Sequence, residues 1–225
     1  PVYDNLIAAV REALPEFHRY LELRKAMLGV EELHMYDLYA PLIDSKPKRI
    51  PYEEAKTLVA AGLKPLGEKY GQDLQAGLEG GWVDVYENIG KTSGAYSSGV
   101  YDSNPYVLLN YQENLNSVFT LAHEMGHSMH SFYSKKEQPY ANSSYTIFLA
   151  EIASTVNENL LLRDLLAKAT DKREKLMLLN HFLEDFRATV FRQTMFAEFE
   201  KIIHEEVEKG GALTEEFMSQ VYLQL

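Results

Sequence analysis

The sequence predicts a mainly α-helical fold with one small antiparallel β-sheet or hairpin. Apolar residues recur at intervals of three and four along most of the 225 residues, the spacing of one face of a helix. Short aromatic and β-branched runs are confined to residues 82–111, so the sheet is expected there. The chain has no internal repeat and no low-complexity linker, which favours one piece of a single domain over several domains.

The first part of the chain predicts several helices. Apolar positions between residues 4 and 29 predict two of them, because Pro15 interrupts the pattern and proline suits the first turn of a helix. The next segments, "LHMYDLYAPLI" and "KPKRIPYEE", hold three prolines and predict an irregular crossing. Helical spacing returns in "YEEAKTLVAAGL" and "PLGEKYGQDLQAGLE" and ends at Gly80 and Gly81.

The middle of the chain carries the β signal, and the rest predicts helices. "WVDVYE" and "YVLLNY" predict two strands, separated by the loop "GKTSGAYSSGVYDSNP". From about Ser117 the pattern is helical, apart from a polar loop at 134–145. Thr214 is expected to cap a last helix that continues to Leu225 without an end signal, so we expect the chain to be part of a longer protein.

The composition excludes several classes of protein. The 33 acidic and 22 basic residues give a net charge of -11 without a long basic run, so we expect no nucleic-acid partner. The absence of cysteine excludes disulfides and thiolate metal sites. No apolar run approaches the roughly 18 residues of a membrane span, and the start lacks a signal-peptide pattern. We therefore expect a cytoplasmic protein without a membrane partner.

The stretch "FTLAHEMGHSMHSFYS" holds three of the seven histidines. Positions four apart on a helix differ by only about 40° in direction, so His123 and His127 can reach one metal ion. Glu124 lies beside them, close enough to contact a water on that ion. The same helix carries an apolar stripe on its opposite face, which predicts a packed side and a ligand side. The stripe comprises Leu115, Val118, Ala122, Met125, Met129 and Phe132.

A hydrolytic zinc site commonly has three protein ligands, so a third is needed. Glu151 sits in the most apolar part of "YTIFLAEIASTVNENLLLRDLL", where a buried carboxylate is costly unless it is paired or bound to a metal. We therefore predict zinc ligation by Glu151. Glu158 is expected on the same face, either orienting a ligand histidine or as a solvated charge. His130 is expected either to support the site or face substrate, or to be a plain surface histidine.

These residues predict a chemistry. Two neutral imidazoles and one carboxylate would leave one zinc ion with an open position, where it lowers the pKa of water towards about 7 and polarises a carbonyl. Glu124 would act as general base and later deliver the proton to the leaving amine. Hydrolysis of an amide bond is the expected reaction, with an extended peptide pairing against the neighbouring strand.

Three motifs in the same order resemble the oligoendopeptidase F family, relatives of thimet oligopeptidase. They are "FTLAHEMGHSMHSFYS", "FLAEIAS" and the upstream "GWVDVYENIGKTSGAYSSG", and "LHMYDLYAPL" extends the similarity over most of the chain. The resemblance implies a helical, zincin-like endopeptidase that cleaves short peptides. It also implies zinc ligation by His123, His127 and Glu151, catalysis by Glu124, and a substrate-lining strand at residues 94–96, which are Gly94, Ala95 and Tyr96.

The resemblance further implies which part of such an enzyme this chain represents. We expect one piece of a metallopeptidase catalytic domain, truncated at both ends, with residues 1–80 helical, 82–111 forming the β region and 115–225 forming the helical metal-binding part. The family's C-terminal histidine and tyrosine residues, thought to stabilise the transition state, have no match before Leu225. The remainder of the parent chain is therefore expected to complete the active site. The alternative is a catalytically impaired fragment that binds metal or peptide.

Overall fold

A computed structural model describes residues 1–43 and 48–225 of the chain. The predicted mainly α-helical fold with a small sheet is confirmed. The chain forms two compact units, Pro1–Asp44 with Leu176–Leu225, and Ser45–Lys175. Within the described residues no helix is both long and apolar enough to cross a bilayer. Part of the predicted irregular crossing, residues 46 and 47, lies outside the described residues.

The first unit is built from helices at both ends of the chain. Helix α1 (Val2–Leu28) is followed by a 3₁₀ turn (Met35–Tyr39). Helix α6 (Lys172–Asp185), most of which belongs to this unit, continues through a π-helical segment (Phe186–Phe191) into α7 (Arg192–Glu208). The last helix is α8 (Glu215–Gln224), whose predicted cap is confirmed because the Thr214 hydroxyl accepts a hydrogen bond from the Phe217 N–H at 3.2 Å.

The prediction of two opening helices is wrong, because α1 runs unbroken through Pro15. Contacts on both sides of the proline hold the helix in one piece. Before it, Arg11 pairs with Glu198 of α7 at 2.5 Å. After it, Phe17 stacks on Phe191 with ring centroids 4.7 Å apart. These contacts on both sides therefore outweigh the loss of one helical hydrogen bond at proline.

The second unit carries the helices and strands around the predicted metal-binding stretch. The helices are α2 (Tyr52–Gly62), α3 (Glu68–Glu79), α4 (Leu115–Glu137) and α5 (Ile147–Lys168), with 3₁₀ turns at Lys64–Leu66 and Tyr140–Asn142. Helix α4 packs against α2 and α5. The core of this unit is formed by fully buried apolar side chains of α2, α3, α4 and α5, among them Val59, Leu74, Leu121, Met125 and Leu161.

The sheet has three strands in the order β1-β3-β2, with β1 at Val83–Asp84, β2 at Tyr96–Ser98 and β3 at Tyr106–Leu108. The predicted antiparallel pairing of "WVDVYE" with "YVLLNY" is wrong, because β1 and β3 pair in parallel. The long loop between them supplies the missing antiparallel partner, β2, which lies at the edge of the sheet. A tight hairpin turn can join only antiparallel strands. The long connection through β2 reverses the chain twice, so β3 runs parallel to β1.

Helices α4 and α5 approach each other closely at one glycine. A Cβ atom on Gly126 would lie 2.6 Å from Cα of Ser154 and 2.8 Å from O of Ala153. Both distances are too short for a side chain of any size, so glycine is what permits the contact. This close approach brings the first turns of α5 beside the histidine face of α4.

Candidate metal centre

Helix α4 is oriented by its start and by its buried face. The Asn114 side chain caps the helix by accepting a hydrogen bond from the Ser117 N–H at 2.9 Å. Most of the predicted apolar stripe is buried, namely Val118, Ala122, Met125 and Met129. Leu115 and Phe132, at its two ends, are half-buried. With this face in the core, the histidine face of α4 is turned towards α5.

Three of the predicted side chains converge on one point. Nε2 of His127 lies 3.1 Å from Nε2 of His123. Oε2 of Glu151, from the second turn of α5, lies 3.3 Å from Nε2 of His123 and 3.4 Å from Nε2 of His127. Two nitrogens and one oxygen therefore form a nearly equilateral triangle, so this group could hold a metal ion.

The burial predicted for Glu151 is wrong, because 62% of its side chain is exposed. The apolar residues around it are themselves exposed, with Phe148 at 75% and Ile152 at 54%. The start of α5 thus presents an apolar surface to solvent, and the sequence pattern that suggests a core helix does not enclose this carboxylate. Its position beside both histidines comes from the contact of α4 with α5 at Gly126.

Glu158 lies two turns after Glu151 and contacts His123 from the other side. Its Oε1 is paired with Nδ1 of His123. This contact directs Nε2 of His123 towards His127 and Glu151. Burial lowers the pKa of His123, but the hydrogen bond and charge of Glu158 outweigh it, so the pKa is raised overall. Burial lowers the pKa of His127 overall, although the charge of Glu151 and a backbone hydrogen bond with Ala150 raise it.

Glu124 is placed differently from Glu151. It is only 6% exposed, although it neighbours His123 in sequence. The backbone N–H of Ser97, in β2, donates a hydrogen bond to its carboxylate, and burial raises its pKa. Strand β2 is also tied to α4 by the hydroxyls of Ser97 and Ser128, whose Oγ atoms are 2.8 Å apart. The strand and the helix are therefore joined beside Glu124.

The remaining predicted residues lie around this centre. Tyr96 begins β2, while Gly94 and Ala95 directly precede the strand. His130 stacks on Tyr145, with ring centroids 3.7 Å apart, and its Nδ1 is buried without a hydrogen-bond partner. Burial lowers the pKa of His130. His130 is thus packed against the segment that precedes α5 and does not join the group formed by His123 and its neighbours.

Sequence reasoning missed the residue that fixes Glu151. The hydroxyl of Ser154 donates to Oε2 of Glu151 at 2.8 Å and to its backbone oxygen at 3.0 Å. Ser154 is fully buried. A small polar residue three positions after a glutamate in an apolar helix was the available signal, since residues three apart share a helix face.

The donor set suits zinc in both chemistry and spacing. Histidine nitrogen and carboxylate oxygen are standard zinc ligands. A tetrahedral ion with bonds of about 2.05 Å separates its ligand atoms by about 3.3 Å. The three separations of 3.1, 3.3 and 3.4 Å lie close to this value. Fold and donor set together define a helical protein whose site is of the kind found in metal-dependent hydrolases.

Comparison with known proteins agrees with this class. The family model described as Peptidase family M3 matches residues 1–225. The chain is 54% identical over 224 residues to Oligopeptidase PepF of Bacillus subtilis (strain 168), an alignment that covers 100% of this chain and 33% of that protein. It is 51% identical over 221 residues to an oligoendopeptidase F homolog of Lactococcus lactis subsp. lactis (strain IL1403), with 98% of this chain and 37% of that protein covered.

Solved structures give the same result. A crystal structure of a peptidase from Chlamydophila abortus superposes with a TM-score of 0.87 at 47% identity, covering 99% of this chain and 37% of that one. Oligoendopeptidase-F from Enterococcus faecium gives a TM-score of 0.66 at 41% identity, covering 98% and 32%. The chain belongs to peptidase family M3. The resemblance to oligoendopeptidase F is confirmed, and the chain spans about a third of the length of these relatives.

Proposed function

We propose that this chain is the central part of a zinc-dependent endopeptidase that hydrolyses peptide bonds in short peptides. The observation that carries the proposal is the triangle of Nε2 of His123, Nε2 of His127 and Oε2 of Glu151. Its sides match the ligand spacing of a four-coordinate zinc ion and leave the fourth position open. Family membership supports a peptidase.

Each residue around the proposed ion has a separate task. His123, His127 and Glu151 hold the ion, while Glu158 orients His123 and Ser154 orients Glu151. A zinc ion bound there would supply Lewis-acid chemistry, because it lowers the pKa of water and polarises carbonyl oxygens. Glu124 accepts a proton from the attacking water and later donates it to the departing amine. The N–H of Ser97 interacts with the Glu124 carboxylate, which is not one of the three ligand groups.

The substrate is proposed to lie extended along β2. This strand is at the sheet edge, and its backbone reaches Glu124 through Ser97. A peptide that adds to such an edge is recognised mainly through its main chain, which suits an enzyme for short peptides of varied sequence. The substrate-lining residues are then Gly94, Ala95 and Tyr96. His130 stays a prediction as a substrate contact, since its ring packs on Tyr145.

Segments outside this chain are proposed to complete the active site. The matched relatives are about three times as long as the chain. Residues that stabilise the transition state are expected there, and loss of such donors commonly lowers turnover by about 10² to 10³. Location in the cytoplasm also stays a prediction.

The test of the proposed function is Glu124→Gln in the full-length protein. We expect zinc content to be retained, because Glu124 is not one of the ligands, and kcat for a quenched fluorescent peptide to fall by about 10² to 10⁴. The matched control is Glu137→Gln, at the exposed end of the same helix. Unchanged turnover with zinc still bound would show that Glu124 is not the general base.

The second candidate function is metal and peptide binding without cleavage, and the partial coverage of the relatives favours it for the chain alone. Calorimetric titration of the 225-residue chain with a peptide, beside a turnover assay, separates the two functions. Binding without cleavage by the chain, together with cleavage by the full-length protein, is the result expected if the missing segments supply the transition-state donors.

A further inference from the structure

Strand β2 has a backbone edge that points away from the sheet. On the side of β3 that faces β1, the N–H of Val107 donates to O of Trp82 at 2.7 Å. The N–H of Leu109, which directly follows β3, donates to O of Asp84 at 2.8 Å. The backbone groups of the intervening residue, Leu108, therefore face β2, where Leu108 is paired with Tyr96. The N–H of Ser97 points the other way, towards Glu124.

Asn110 extends this pairing beyond the end of β3. Its Nδ2 donates hydrogen bonds to O of Gly94 at 2.9 Å and to O of Thr92 at 3.0 Å. Continued by two residue pairs, the register that joins Tyr96 to Leu108 would place Gly94 opposite Asn110. The backbone hydrogen bonds between β2 and β3 end before Gly94. Beyond that point, the side chain of Asn110 binds the segment that precedes β2.

The contact at Gly94 sets the direction of the next residue. The C=O and N–H of one trans peptide unit point in opposite directions. Because the C=O of Gly94 points to Asn110, the N–H of Ala95 points away from the sheet. Pairing of Tyr96 with β3 turns the C=O of Ala95 to the same outer side. Ala95 therefore offers both a donor and an acceptor to an incoming strand.

Ala95 also borders an open cleft. The cleft has a volume of about 860 Å³, and its lining includes Ala95, Asn110 and Thr120. Thr120 precedes His123 by one turn of α4, on nearly the same face of the helix. The cleft therefore borders the first turns of the metal-binding helix. Its size and position suit an extended segment of polypeptide.

We infer that Asn110 is a positioning residue for substrate: it holds Gly94 so that Ala95 pairs with the main chain of the bound peptide. This inference rests on the proposed peptidase function. Asn110 acts through Ala95 and is not a catalytic residue. The loop has a second, independent attachment, because Nζ of Lys91 donates to O of Asp84 at 3.1 Å and to O of Tyr86 at 2.7 Å. Substitution of Asn110 should therefore release the Thr92–Ala95 segment and leave the rest of the loop in place.

The test uses Asn110→Ala and Asn110→Asp in the zinc-loaded full-length protein. Alanine removes the side chain, and aspartate keeps its shape but replaces the donor by an acceptor that repels both carbonyl oxygens. We expect KM for a quenched fluorescent peptide to rise roughly fivefold to tenfold, the size of one main-chain hydrogen bond. We expect kcat to change less than about twofold and zinc content to stay the same. Hydrogen exchange of the amides of residues 94–96 should become faster.

The matched control is Ser103→Ala, in the connection between β2 and β3. The Ser103 hydroxyl also lies near two backbone oxygens, at 3.0 Å from Asn104 and 3.3 Å from Val100, but it is far along the loop from Gly94. The Ser103→Ala substitution should leave KM and the hydrogen exchange of residues 94–96 unchanged. An unchanged KM in both Asn110 variants, or an equal rise in Ser103→Ala, would overturn the inference.

Parallel measurement of Glu124→Gln separates this inference from the proposed function. Loss of turnover in Glu124→Gln, with an unchanged KM in the Asn110 variants, contradicts only the positioning role. Retained turnover in Glu124→Gln with zinc bound contradicts the proposed mechanism instead. The Asn110 variants still report on positioning in that case, because their KM and exchange are measured on whatever cleavage the full-length protein performs.

Discussion

At the scale of single residues, Glu158 illustrates how a side chain outside the ligand triangle affects the site. It contacts Nδ1 of His123 and leaves Nε2 of that ring directed at the other ligands. A carboxylate in this position fixes the ring orientation and makes the imidazole a stronger ligand. We therefore expect Glu158→Gln to lower zinc affinity by about tenfold to 100-fold.

Competition with a chromogenic chelator measures this affinity directly. Glu137→Gln is the control of the same chemistry, since Glu137 is exposed at the end of α4. If both variants bind zinc as tightly as the unsubstituted protein, the contact of Glu158 with His123 does not contribute to metal binding.

Single residues also show which parts of the site's geometry a sequence can predict. The spacing of His123 and His127 fixes their common direction, because helix geometry alone determines it. The need for a third ligand predicted that Glu151 lies beside the histidines, and its Oε2 lies 3.3 Å from Nε2 of His123. Its exposure could not be predicted, because hydropathy does not distinguish an apolar surface from a core. The hydrogen bond from Ser154 depends on a rotamer, which sequence does not specify.

At the scale of helices, Asn157 joins three of them in the second unit. It is only 1% exposed. Its Nδ2 donates to O of Ala122 in α4 at 3.0 Å, and its Oδ1 accepts from the hydroxyl of Tyr70 in α3 at 3.2 Å. Asn157→Ala would leave the Tyr70 hydroxyl without this acceptor, so we expect a loss of about 1–3 kcal/mol of stability.

Hydrogen exchange of the α5 amides, followed with increasing denaturant, measures this loss. Asn159→Ala is the control on the same helix, because Asn159 is exposed and its Nδ2 donates only to O of Thr155, at 2.8 Å. Equal protection of α5 in the two variants would contradict a structural role for the buried amide.

The helices and strands also show which rules of prediction fail locally. Proline commonly begins a helix, yet Pro15 lies inside α1 because the helix is bound to α7 and the π-helical segment on both sides of it. Two strands joined by a long loop suggested a hairpin, yet Tyr96–Ser98 supplies the antiparallel partner within that loop. In both cases contacts between distant residues decide the outcome, and local sequence does not contain them.

At the scale of the whole molecule, the metal site and the helices that form it lie in one compact unit. His123, His127, Glu151 and Glu158 all belong to Ser45–Lys175. Zinc would therefore add a cross-link between α4 and α5, which also meet through packing at Gly126 and through the contacts of Asn157 and Glu158 with α4. A ligand that binds only the folded state stabilises it in proportion to the logarithm of its concentration.

We expect chelation of zinc to lower the thermal stability of this unit. At a free zinc concentration 100 times Kd, the loss on chelation corresponds to about 2.7 kcal/mol. Differential scanning calorimetry with and without EDTA measures the shift, and readdition of zinc should restore the original transition. In His127→Ala, which lacks one side of the triangle, EDTA should have little effect. If EDTA shifts His127→Ala as much as the unsubstituted protein, the stabilising metal is bound somewhere other than between α4 and α5.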